Sequence, residues 1–270
     1  MLPPLDRLNP HQKVSEQPKT NETGAPLSSL DTSDLTRKVT RDACRKLADS
    51  APRAVVALYA NPRIPLKIAA KGLQPLNALT REMRSVISQL NPFDFFLSPS
   101  TTKQDLPKYL KRYNPKVLLW SGHTLGGMMI FEDTNGRLVE DQVMTAQELE
   151  EILNGAPSLT LVCLMACSSS AMLPLPDSSV RSRVSFITWS TITEDNAALA
   201  FTSGMVEALA EQVRVGEINA AGVFEKASTS FRDGGFRFGD PKLSVNPNEK
   251  PHGIAMLSLT EGREVVAKGE

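Results

Sequence analysis

The 270-residue chain has little cysteine, no net charge and no long apolar run. Its three cysteines, Cys44, Cys163 and Cys167, are too few and too odd in number for a disulfide framework. That usage suits a reducing compartment, and the expected location is the cytoplasm. Thirty basic residues balance thirty acidic ones. No basic excess argues for nucleic acid, and no charge run offers a polybasic patch to a membrane. The longest apolar runs, such as 161–167, fall short of the roughly 20 residues a membrane helix needs. The N-terminal stretch carries prolines and no apolar h-region, so no secretory signal is read there. No Walker ending accompanies the glycines near residue 126, and no Gly-x-Gly-x-x-Gly follows the first strand. Four residues along a strand span roughly 13 Å, which is too far for Cys163 and Cys167 to share one ion. Zinc would want about four ligands, and neither His11 nor His252 is anchored near them. Neither a metal nor another cofactor is expected.

What the chain does have is enough apolar residue, 41%, for a proper core. Residues 1–33 are rich in Pro, Ser, Thr, Asn and Gln and read as a disordered tail. Residues 34–50 read as an N-terminal helix capped by Asp34, with Leu35, Val39, Ala43 and Leu47 at helical spacing and Cys44 on or near that stripe. The main domain is expected over 51–264, and a polar tail over 265–270. Within the domain, "RAVVALYANP", "FDFFLSP", "KVLLWSGH", "LTLVCLMAC", "VSFITWST" and "HGIAMLSLT" read as strands. Helical patterns fall between them. One of these sets Leu76, Leu79, Met83, Val86, Ile87 and Leu90 on one face, and another is capped by Thr145 with Glu148 completing a capping box. "GGMMIFEDTNGRLVED" reads as a hairpin turning at Asn135-Gly136. Continuous apolar strands alternating with helices predict an α/β fold of three layers, a mostly parallel sheet with helices on both faces and a small hairpin insertion.

In such sheets ligands bind beyond the carboxyl ends of the strands, at a topological switch point. Two strands end there on reactive side chains, "LLWSGH" on His123 and "LVCLMAC" on Cys167. A thiol becomes a good nucleophile as a thiolate, and a nearby imidazole helps to form it. The reaction also needs backbone N–H groups aimed at the oxyanion, and those of Thr124 and Cys167 are the candidates. The bland reading makes Cys167 a small residue at a strand end and His123 a loop histidine. Cys163 reads as core.

Six segments together resemble a CHAT domain, a branch of the caspase-like cysteine peptidases, from about Val55 to Thr260. "VVALYANP" looks like its opening strand, and "LNALTREMRSV" like its helix with a Glu-x-Arg segment. "LLWSGH" is similar to the Ser-Gly-His strand, "GGMMIFED" to the hairpin and "LVCLMACSSS" to the Ala-Cys-Ser strand. "FITWSTITEDNAALAF" resembles the fifth strand with its aspartate and helix. The resemblance implies a cysteine endopeptidase, a thiol protease acting on protein or peptide substrates, with His123 as base and Cys167 as nucleophile. The family's usual glycine after the histidine is Thr124 here, which keeps the N–H but resists positive φ. The resemblance also implies a substrate pocket drawn from loops after strands one, four and five. Glu194 and Asp195 follow strand five and are its candidate acids, although Asp195 equally suits a helix cap. The alternative function is a catalytically inactive caspase-like module that serves as an interaction or signalling domain with a regulatory protein partner.

Overall fold

A computed structural model describes residues 52–63, 75–243, 251–260 and 262–267. The tail expected over 1–33 and the helix expected over 34–50, with Cys44, lie outside the described residues. A seven-stranded sheet is built from β1 (Val55–Tyr59), β2 (Phe95–Ser98), β3 (Val117–Ser121), β7 (Leu161–Met165), β8 (Ser185–Trp189), β9 (Ala255–Ser258) and β10 (Glu264–Val266). Their spatial order is β10-β9-β8-β7-β3-β1-β2. The five strands from β8 to β2 run parallel, and β9 and β10 add antiparallel at one edge. Glu264–Val266 thus pairs as an edge strand where the sequence reading begins its polar tail at residue 265.

Alternation along the strands divides the core in two. Val55, Ala57 and Tyr59 of β1 face α1 (Leu79–Gln89), α4 (Asp195–Val215) and α5 (Ala220–Asp233). Val56 and Leu58 face α2 (Asp105–Tyr113) and α3 (Ala146–Asn154). Each central strand is buried along its whole length, which is why its sequence is a continuous apolar run. The helices stop where their chemistry predicts. Thr145 accepts from the Glu148 N–H, completing the capping box of α3. Asn114 closes α2 and Gly216 closes α4, both left-handed.

One expectation is enlarged and one is corrected. The hairpin insertion is a second, three-stranded sheet of β4 (His123–Leu125), β5 (Met128–Ile130) and β6 (Val143–Met144). A two-residue turn at Gly126-Gly127, both at positive φ as a type I′ loop requires, joins β4 to β5. Asn135-Gly136 turns further along, where the Asp133 carboxylate accepts from the N–H groups of Asn135 and Arg137. That Asx turn lies in the connection between β5 and β6, which pair antiparallel with Met129 opposite Met144 and Ile130 opposite Val143, so the expected hairpin forms with Asn135-Gly136 near its tip. Around α1, Leu76, Leu79, Met83, Val86 and Leu90 pack on the core as expected, but Ile87 is 56% exposed while Glu82 is buried.

Candidate functional site

The switch point of the parallel strands lies between β1 and β3, where the chain order reverses. The candidate residues sit one strand along, beyond the carboxyl ends of β3 and β7. These strands pair in register with Ser121 opposite Met165, so His123 and Cys167 each lie two residues past the same pair. Gly122 breaks β3 from β4. A Cβ there would meet the Trp120 ring at 2.8 Å and the Ala60 carbonyl at 2.9 Å, so no larger residue fits. The residues flanking His123 hold it to the end of β7. The Gly122 N–H donates to the Met165 carbonyl at 3.4 Å, and the Thr124 hydroxyl donates to the Cys167 carbonyl. His123 itself is buried at the first position of β4.

Thr124 adopts no positive φ, so its side chain is unstrained in β4. The two-residue loop makes Leu125–Met128 the hydrogen-bonded pair that closes the hairpin. Thr124 opposite Met129 is then a non-hydrogen-bonded pair, and its N–H points away from β5.

Cys167 ends β7 in a tight turn. Ser168 takes a left-handed conformation, φ 54°, uncommon for a residue with a side chain. Its N–H donates to the Thr191 carbonyl at 2.9 Å. The buried Ser169 hydroxyl donates to the Leu164 carbonyl at 2.7 Å and accepts from the Trp189 N–H at 3.0 Å, tying β7 to β8. The Ser-Ser run after the cysteine is therefore structural. The half-buried thiol lies against the backbone of Thr193, accepting from its N–H at 3.4 Å and donating to its carbonyl at 3.6 Å. Burial pushes the Cys167 thiol up, the Thr193 N–H pulls it down, and the Asp195 carboxylate raises it further. The sulfur is thus a thiol at neutral pH and needs a base to become a nucleophile. Cys163 is fully buried on the α4 and α5 side, and burial drives its pKa far above the ordinary thiol value.

A cavity of about 30 Å³ opens beside the sulfur, lined by Cys167, Glu82, Ser121, Thr193, Asp195 and Trp189 among others. Asp195 lines it and Glu194 does not. Glu194 instead pairs with His252 at 2.8 Å. Asp195 makes no cap to its own helix; its carboxylate accepts from the Asn77 N–H at 2.9 Å, tying α4 to the approach of α1. His123 is not part of the cavity wall. Glu82 is the residue that sequence reasoning missed. It is 4% exposed, and its carboxyl accepts from the Ser121 hydroxyl at 2.7 Å. Burial and the Asp195 charge raise its pKa to about 7, against the lowering by Ser121. The signal lay in its place on α1, three residues after buried Leu79 and four before Val86. Among the described residues, no group of three or more His, Cys, Asp or Glu could hold a metal. Nor is any described helix long and apolar enough to cross a membrane.

Fold and site together define a three-layer α/β protein with a thiol at the carboxyl rim of a mainly parallel sheet. No family model and no curated protein matches the sequence. Among solved structures the chain is similar to a secreted C11 cysteine protease from Bacteroides thetaiotaomicron bound to an irreversible peptide inhibitor. That likeness has 13% identity and a TM-score of 0.46 over 77% of this chain, which spans 66% of the protease's length. It is also similar to caspase-1 from Spodoptera frugiperda, at 13% identity and a TM-score of 0.44, over 81% of this chain and 93% of the other.

Proposed function

We propose that the protein is a cysteine endopeptidase of the caspase-like CHAT type. His123 serves as base and Cys167 as nucleophile. The observation that carries the reading is the meeting of two strand ends: β4, starting on His123, is fastened through Gly122 and Thr124 to the end of β7, which carries the thiol. In the reaction His123 takes the thiol proton and the thiolate attacks the peptide carbonyl. The oxyanion lies against the N–H groups of Thr124 and Cys167. The imidazolium returns the proton to the leaving amine, and water then hydrolyses the acyl-enzyme. The strand conformation of Thr124 supports this assignment, because its N–H is not spent on the hairpin ladder.

A second reading is the inactive interaction module, favoured by the resting thiol's hydrogen bonds to Thr193 and its raised pKa. A peptide-library cleavage profile separates the two. The protease reading expects cleavage by the wild type and a fall of ~10³-fold or more in both Cys167→Ala and His123→Ala. A wild type that is folded and cleaves nothing supports the module, and cleavage that survives Cys167→Ala contradicts Cys167 as the nucleophile.

A further inference from the structure

Glu82 breaks the pattern of the helix that carries it. It lies on the buried face of α1 between Leu79 and Val86, and it is 4% exposed. Among the described residues it has no ion-pair partner, and the Asp195 charge opposes its own. A leucine at this position would bury more favourably than an acid without a cation. Departures of this kind from core patterning gather at functional sites, where stability is given up for another purpose. What the acid contributes is one bond: its carboxyl accepts from the Ser121 hydroxyl at 2.7 Å.

The place of Ser121 gives that bond its meaning. Ser121 is the last residue of β3 and stands opposite Met165, the last residue of β7. Its hydroxyl also lies 3.3 Å from the Met165 carbonyl, and the Gly122 N–H donates to the same carbonyl at 3.4 Å. The paired register of the two strands ends here, and His123 and Cys167 each follow two residues later. Glu82 reaches this last pair from α1, so a helix and two strands are fixed to one another at the point where both side chains depart. A carboxyl accepts from a hydroxyl whether it is ionised or protonated, so the tie holds in either state. We propose that Glu82 is a positioning residue: through Ser121 it sets the spacing of the β3 and β7 ends, and with it the approach of His123 to Cys167. The inference rests on the protease reading above. Glu82 acts through Ser121 and takes no part in the proton transfers at the sulfur.

Spacing is read directly by a cross-link, in full-length protein carrying Cys44→Ser. With His123→Cys added, oxidised glutathione joins position 123 to Cys167 when their Cα atoms come within about 7 Å. The rate is followed by intact mass at pH 8 after capping of free thiols. Adding Glu82→Leu is expected to slow the cross-link at least ~10-fold, whereas Glu82→Gln, which keeps the acceptor for Ser121, leaves it within about twofold. Ser121→Ala slows it as Glu82→Leu does, and the two substitutions together slow it no further, as two ends of one tie require. Ser121→Ala also reads the tie should Glu82→Leu not fold. A urea midpoint for Glu82→Leu at least equal to that with glutamate separates lost positioning from a loosened fold. With His123 in place, turnover of a peptide found by the cleavage profile follows the same order. Its kcat falls ~10-fold in Glu82→Leu with KM within about twofold, and Glu82→Gln restores it. A cross-link as fast with leucine as with glutamate, or slowed equally by leucine and glutamine, would overturn the proposal. The two failures are distinct. A cross-link that depends on Glu82, in a protein that hydrolyses nothing, defeats the protease reading alone. Hydrolysis with a kcat indifferent to Glu82→Leu defeats the positioning alone, and the absence of a cross-link in every variant defeats both.

Discussion

At the residue scale, the chemistry turns on how burial raises two groups, the Glu82 carboxyl and the Cys167 thiol. Glu82 has a folded pKa of about 7 against an ordinary 4.5, because its charge is desolvated and faces Asp195. The native state therefore holds a proton that the unfolded chain releases between these values. The sign follows: stability falls as pH rises from about 4.5 to 7, by up to about 3 kcal/mol. Glu82→Gln is expected to be more stable than the wild type at pH 8 and equal to it below pH 4.5, read by urea denaturation at both pH values. Asp195 acts on the sulfur in the same direction, raising the thiol pKa. Asp195→Asn should lower that pKa, increase the thiolate fraction, and speed alkylation of Cys167 by iodoacetamide several-fold at pH 7.5. An unchanged rate would mean that the carboxylate does not reach the sulfur electrostatically. His123 and Cys167 were legible as candidates because each ends an apolar run. Glu82 was not, because the eye counts apolar residues along a helix and passes over an acid in the same register. Its burial depends on Ser121 of β3, a partner that no local pattern supplies.

At the element scale, the least forgiving contact is between α4 and α5. A Cβ on Gly204 would sit 2.2 Å from the Ser230 hydroxyl oxygen and 2.8 Å from the Lys226 carbonyl. The side chain can rotate, but the backbone carbonyl cannot move without parting the helices. Gly204→Ala is expected to destabilise the protein by about 2 kcal/mol, measurable as a lower urea midpoint, even though alanine is the better helix former. Neutral or raised stability would mean that the two helices separate freely. The strands and the capped helix α3 were readable, since period, caps and burial all agree there. The hairpin around Asn135-Gly136 was readable from its turn signal, whereas the tighter one at Gly126-Gly127, which pairs β4 with β5, was not. Turn type follows from which strands pair, and pairing is a non-local fact.

At the scale of the whole sheet, the order β8-β7-β3-β1-β2 brings the ends of β3 and β7 together although a small sheet and a helix separate them in sequence. Alternating strands and helices predict a parallel sheet with two covered faces. They do not fix which strands are neighbours, and only adjacency brings together the strand ends that carry His123 and Cys167. The order of β9 and β10 at the antiparallel edge, and the acidic cavity between α1 and α4, were likewise beyond any local pattern. Every functional conclusion depends on the adjacency of β3 and β7.

The most direct measurement of that claim is intact-mass analysis after treatment with a peptidyl acyloxymethyl ketone, an electrophile that reacts with an assembled thiol–imidazole pair. The account predicts one equivalent of label on Cys167 in the wild type, and a rate at least ~100-fold slower in His123→Ala. Labelling of Cys167 at the same rate in both proteins, or a label carried by Cys163, would contradict it.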